Sequence, residues 1–203
     1  MSCGDNFIFN IDCYIKKIKN NLTFLIIGGS LYVVGIILGI FFLGKDNISH
    51  FFFENVYNYY FKIFDPYSNP VSTSFIMLLT CIGYTVVFFS LSFTFFTYPL
   101  QFIIIIYRGV IIGGIARYFI TCFGINGFVL YFFVTLPQNL IITAGLLLSS
   151  VLNFDHVTNL CDNKPNIKVM LFNSLLGLAV CFTAIIYGLL VVVVIVRPMN
   201  IYF

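Results

Sequence analysis

Charged residues are scarce in this chain. Only 8% of its 203 residues are Asp, Glu, Lys or Arg, whereas a soluble domain carries about 25%. Hydrophobic residues make up 61% of the sequence, and the mean hydropathy is +1.05. This composition excludes a soluble globular enzyme, and it excludes a disordered chain, because disordered segments are polar. We therefore expect a single integral membrane domain over residues 1–203. The net charge of +3 does not indicate nucleic-acid binding.

Residues that could carry out chemistry are also few. The two histidines, His50 and His156, lie in predicted loops, and no predicted span contains an acidic residue. The sequence has no G-x-S-x-G, Walker or H-E-x-x-H motif. His50 and Glu54 are four residues apart, but two ligands do not make a metal site. None of the six cysteines forms a C-x-x-C pair, so we interpret them as small buried hydrophobes. We expect no enzymatic activity, no cofactor and no metal.

Long uncharged stretches predict the membrane spans. A spanning helix needs about 20 apolar residues, and such stretches lie near residues 22–43, 75–98, 127–152 and 169–196. Residues 100–123 follow Pro99, which interrupts the second uncharged block, and they form either a fifth span or a re-entrant element. The predicted fold is all-α: a polytopic bundle of four to five transmembrane helices.

Basic residues predict the orientation. Lys16, Lys17 and Lys19 directly precede the first span, which places the N-terminus in the cytoplasm. With four crossings, Arg108 and Arg117 also face the cytoplasm. With five crossings, both arginines enter the bilayer and the C-terminus faces out. Charge alone favours four crossings of the cell membrane.

The outer loop, residues 44–74, is the longest hydrophilic segment. Its aromatic residues recur at helical spacing and define one face: Phe53, Tyr57, Tyr60, Phe61 and Phe64. Polar residues occupy the opposite face, so we predict an amphipathic helix at the outer membrane interface. The aromatic face anchors this helix to membrane lipids or docks a partner, and the two roles can coexist.

Two patterns predict how the spans pack. Gly35 and Gly39 form one G-x-x-x-G motif, and Gly109 and Gly113 form another, a spacing that lets helix backbones approach closely. The second pattern is the run LPQNL at residues 136–140, where a proline interrupts a span beside two amides. We interpret Pro137, Gln138 and Asn139 as a packed helix break in which the amides bridge freed carbonyls. A substrate path at an unwound segment is the alternative.

Three segments in this order resemble the stage II sporulation protein M family. They are residues 107–113 (YRGVIIG), 123–128 (FGINGF) and 134–141 (VTLPQNLI). The short basic N-terminus and the first span, with LYVVGIILG at residues 31–39, are similar too. The resemblance covers roughly residues 15–150.

The resemblance implies a non-enzymatic scaffold in endospore formation, within the bacterial cell membrane. Family members hold two peptidoglycan hydrolases, a lytic transglycosylase and an amidase/endopeptidase, at the engulfing septal membrane. We expect the same partners here, and a homo-oligomer is a further option. The alternative is a small transporter or permease-like membrane subunit.

Overall fold

The computed structural model describes residues 11–42, 70–93, 96–158 and 167–191. The predicted outer helix lies outside these residues, together with its whole aromatic face: Phe53, Tyr57, Tyr60, Phe61 and Phe64. His50 lies outside them as well.

Six α-helices and one π-helical turn make up nearly all of the described chain, which contains no β-strand. The all-α fold predicted from the sequence is confirmed. The helices are α1 (Ile11–Asn20), α2 (Leu22–Phe42), α3 (Pro70–Leu91), α4 (Leu100–Leu130), α5 (Leu136–Thr158) and α6 (Ile167–Val191). The π turn, Tyr131–Thr135, joins α4 to α5 without a loop.

Four helical stretches of the described chain are long and apolar enough to cross a membrane: Leu22–Phe42, Leu100–Thr121, Phe123–Phe154 and Ile167–Val191. A shorter apolar helix, Phe75–Leu91, is the fifth apolar helical segment of the bundle. Large apolar side chains are exposed along these helices, for example Ile26, Phe41 and Leu190. In water this surface would be unfavourable, whereas lipid tails solvate it well. The fold is thus compatible with a multi-pass membrane protein.

The segment after Pro99 forms a continuous helix of full span length rather than a short inserted element. The helix before it, α3, ends at Leu91, several residues earlier than the predicted boundary at Tyr98. Turns then lead to Pro99, which caps the start of α4. Proline suits this position because the first backbone N–H groups of a helix have no partner within the helix.

A sharp reversal divides α4 at Gly124. This glycine has φ 57° and ψ −132°, a backbone region that side chains with a Cβ strongly disfavour. Beyond it the chain folds back, so that Gly127 packs directly against the carbonyl group of Phe119. The apolar cluster that includes Ile115 and Tyr131 fills the space between the two arms of this hairpin.

Helix α2 runs parallel to α4, and glycines form their interface. A Cβ added at Gly35 would lie 3.0 Å from the Cα of Gly109, and one added at Gly113 would lie 3.0 Å from the Cα of Gly39. The glycines of the two G-x-x-x-G motifs therefore face each other at backbone contact distance. Near the C-terminal end of α2, Arg117 links the two helices, since its Nη1 donates a hydrogen bond to the carbonyl oxygen of Ile40 at 2.8 Å.

Helices α5 and α6 form a second close pair, and they run antiparallel. A Cβ added at Gly177 would lie 2.6 Å from the carbonyl oxygen of Gly145. At one end of the pair, Asn173 Nδ2 donates to Asn153 Oδ1 at 3.1 Å. At the other end, Gly188 lies against the side chain of Gln138.

Arg108 lies inside the bundle, and its side chain is only 7% exposed. The sequence leaves two positions open for this residue: the cytoplasmic side with four crossings and the bilayer with five. Contacts along α4 also show that successive apolar helices alternate in direction. Gln101 contacts Phe88 of α3 and Ser150 of α5. Two turns further along α4, Arg108 contacts Tyr84 of α3 and Asn139 of α5, so α4 is antiparallel to both neighbours. This alternation is the pattern expected for five crossings.

Candidate functional site

Arg108 is the centre of the candidate site. It lies in the ninth position of α4, about 12 Å along the helix axis from Leu100 at 1.5 Å per residue. Its Nη2 donates to Asn139 Oδ1 at 3.2 Å, and its guanidinium carbon lies 4.6 Å from the centre of the Tyr84 ring. A cation over an aromatic face is stabilised by the ring quadrupole. Neither contact supplies a negative charge.

Asn139 is held in place by two further hydrogen bonds. Its Nδ2 donates to the carbonyl oxygen of Thr135 at 2.8 Å. The backbone carbonyl oxygen of Asn139 accepts a hydrogen bond from the hydroxyl of Thr143 at 2.8 Å. Because the amide nitrogen is engaged by the helix, the amide oxygen points toward Arg108. Asn139 is 2% exposed, so this orientation is set entirely by protein contacts.

The π turn and Pro137 bring Asn139 to the interior. Proline has no N–H, so the carbonyl group four residues earlier, at Phe133, loses its usual helical donor. The hydroxyl of Tyr187 on α6 donates to that oxygen at 2.7 Å. From the sequence, the neighbouring amides were predicted to bridge freed carbonyls. In the structure, the hydroxyl of Tyr187 donates to the carbonyl oxygen of Phe133, and the side-chain amide of Asn139 donates to the carbonyl oxygen of Thr135.

Gln138 faces a different neighbour from Asn139. Its Nε2 lies 3.1 Å from the sulfur of Met77, a weak hydrogen-bond acceptor, and its side chain fills the space above Gly188. Gln138 thus joins α3, α5 and α6, whereas Asn139 joins α5 to α4. The two adjacent amides have separate roles.

Two tyrosine hydroxyls are also buried in the bundle. Tyr32 is 3% exposed and Tyr131 is 5% exposed, and the hydroxyl of each has no hydrogen-bond partner among the described residues. Tyr32 belongs to the apolar cluster that includes Ile105 and Leu146, whereas Tyr131 belongs to the cluster that includes Ile115 and Phe119.

A second polar cluster lies nearer the start of α4, and its groups are paired with one another. Gln101 Nε2 donates to Ser92 Oγ and to the carbonyl oxygen of Phe88, both at 2.9 Å. Gln101 Oε1 accepts from Ser150, whose Oγ lies 2.8 Å from the Tyr98 hydroxyl. This network joins the turn before α4 to α5. Its groups satisfy one another, so its role is structural.

The residues singled out from the sequence fall into separate places in the structure. The four glycines lie at the α2–α4 interface, while Asn139 contacts Arg108. The described side chains include no group of three or more His, Cys, Asp or Glu residues that could hold a metal ion. Cys81 and Cys181 are buried in the apolar core.

Tyr84 and Thr143 were not predicted as members of the site. Each of these residues lies on a different helix from Arg108, and no local spacing links them to it. The available signal was Arg108 itself, a lone cation within a long uncharged stretch. Such a residue in a membrane segment is a functional-site candidate by default.

No family model, curated protein or solved structure matches this chain.

Proposed function

We propose that this protein is a non-enzymatic, multi-pass membrane scaffold. The observation that carries the proposal is the backbone contact within two helix pairs, α2 with α4 and α5 with α6. Helices packed through glycine approach closely enough for their backbones to touch. A bundle held in this way presents a fixed surface to partners, and it is poorly suited to the rocking motion of a carrier.

Five crossings with a cytoplasmic N-terminus form the topology that we propose. Parallel packing of α2 and α4 supports it, because two parallel spans require an odd number of crossings between them, here α3. The distribution of basic residues agrees, since Arg108 and Arg117 then lie within the bilayer and no longer count toward either side. On the inner side are Lys16, Lys17, Lys19, Lys164 and Lys168, against Lys45, Lys62 and Arg197 on the outer side.

The partners that we propose are peptidoglycan hydrolases of the sporulation engulfment machinery, a lytic transglycosylase and an amidase/endopeptidase. The support is the resemblance of residues 15–150 to the stage II sporulation protein M family. In the proposed topology the outer loop lies on the same side of the membrane as peptidoglycan. The aromatic face that includes Tyr57 and Phe61 is the docking surface that we propose for these partners.

Affinity purification from sporulating cells tests this function. We expect the tagged protein to recover both hydrolases, and the double variant Tyr57→Asp/Phe61→Asp to lose them at normal protein level. The matched control is Asn55→Asp/Asn58→Asp, which adds the same charge to the polar face and should bind normally. Recovery of an ATPase subunit or a solute-binding protein without any hydrolase would contradict the scaffold.

A transport role is the second candidate, and the site at Arg108 favours it. A buried cation beside an interrupted helix is typical of substrate sites in membrane carriers. The same purification separates the two functions, because a permease subunit would recover its energising or substrate-delivering partner.

A further inference from the structure

We propose that Cys81 and Cys181 are an oxidisable thiol pair, which an apolar hydroperoxide converts into a disulfide between α3 and α6. The pair does not depend on the scaffold function. It follows from the contact between the two thiols and from the apolar surroundings in which they lie.

The two thiols meet where α3 packs along α6. Both residues are buried, both belong to the same apolar cluster, and a hydrogen bond joins their side chains. The Cys181 thiol also donates to the carbonyl oxygen of Ile142 on α5 at 3.5 Å. Two residues that are far apart in sequence are thereby held with their sulfur atoms next to each other.

A thiol with a second thiol beside it reacts differently from an isolated buried cysteine. One sulfur atom attacks the terminal oxygen of a hydroperoxide, so the O–O bond breaks, an alcohol leaves and a sulfenic acid forms. The second thiol then attacks this sulfur, the S–S bond forms, and the oxygen leaves as water with the thiol proton. The pair has lost two electrons and two protons, which reduce the hydroperoxide to one alcohol and one water.

The surroundings of the pair determine which class of oxidant reaches it. Its neighbours in the core include Phe88, Ile105 and Leu146, and large apolar side chains are exposed on the outer faces of α3 and α6, for example Val86 and Leu190. Buried thiols react only when the packing opens locally. A peroxidised acyl chain dissolves in the lipid around these helices, whereas a polar oxidant must leave water to enter the same opening. An apolar hydroperoxide is therefore the favoured oxidant.

Oxidation of the full-length protein in lipid vesicles tests the pair. Serine replaces the other four cysteines of the chain, Cys3, Cys13, Cys122 and Cys161, and the vesicles are treated with cumene hydroperoxide. The protein is then unfolded in N-ethylmaleimide, which alkylates every thiol that remains. We expect no alkylation, a mass lower by two hydrogen atoms than that of the untreated chain, and recovery of both thiols after reduction.

Two controls accompany this experiment. Cys181→Ala in the same background keeps the Cys81 thiol and removes its neighbour, so its mass should not fall by two hydrogen atoms. Hydrogen peroxide at the same concentration is a polar oxidant, and it should form the disulfide about tenfold more slowly than cumene hydroperoxide.

Folding has its own measurement. Circular dichroism and size-exclusion profiles matching the wild type would show that the four-serine protein is folded. If they differ, the wild-type chain is oxidised instead, and mass spectrometry of its peptides shows whether Cys81 is linked to Cys181. The proposal is overturned if no disulfide between Cys81 and Cys181 forms within the folded chain, or if hydrogen peroxide forms it as fast as cumene hydroperoxide.

Discussion

The hydroxyl of Tyr187 donates a 2.7 Å hydrogen bond to the carbonyl oxygen of Phe133, the acceptor that Pro137 leaves without its helical donor. A proline on one helix is thus matched by a tyrosine on another. This pairing explains how a long apolar helix tolerates an interruption in a low-dielectric environment, where unsatisfied backbone groups are costly.

Tyr187→Phe should therefore destabilise the bundle by about 1 kcal/mol, the usual net value of one hydrogen bond. In the Pro137→Ala background the same change should cost less, since the restored N–H gives the helix its own donor. Thermal unfolding of the four proteins of this double-mutant cycle in detergent measures the coupling. Equal costs of Tyr187→Phe in both backgrounds would contradict the pairing.

The α2–α4 interface predicts opposite outcomes for two glycine substitutions. A Cβ at Gly109 would lie 3.0 Å from the Cα of Gly35, and closer still to the carbonyl oxygen of Tyr32, whereas a Cβ at Gly29 would meet no atom within 4 Å. Gly109→Ala should lower stability by about 1–3 kcal/mol through overpacking. Gly29→Ala, the matched control, should be neutral or stabilising because alanine favours helix by roughly 1 kcal/mol. Similar unfolding midpoints for the two variants would rule out the close contact.

The sequence predicted the helical class well, because it depends on local composition and periodicity. It predicted less about the site. Tyr84 and Asn139, which contact Arg108, are far from it in sequence and meet it only through the packing of α3 and α5 against α4. Gly145 and Gly177 were missed as a packing pair, since neither belongs to a G-x-x-x-G motif. The topology was ambiguous because a buried arginine and a cytoplasmic arginine look the same in a charge count.

Five crossings predict that the two ends of the chain lie on opposite sides of the membrane. In a background without native cysteines, Asn6→Cys should react with an impermeant maleimide only after cells are permeabilised. Asn200→Cys should react in intact cells. Protection of both positions in intact cells would indicate an even number of crossings, and labelling of Asn6→Cys from outside would reverse the orientation.

Asn139 offers a test of the charge at the centre of the bundle. Asn139→Leu removes the one oxygen among the described residues that is found to accept from Arg108, and it should cost about 1–3 kcal/mol because a buried donor loses its partner. Asn139→Asp keeps an acceptor at nearly the same place and adds the negative charge that the described surroundings of Arg108 lack. It should be more stable than Asn139→Leu, although the lost amide bond to Thr135 offsets part of the gain. Thermal unfolding of both variants in detergent measures the difference. If Asn139→Asp were the less stable of the two variants, Arg108 would already be neutralised by another part of the chain.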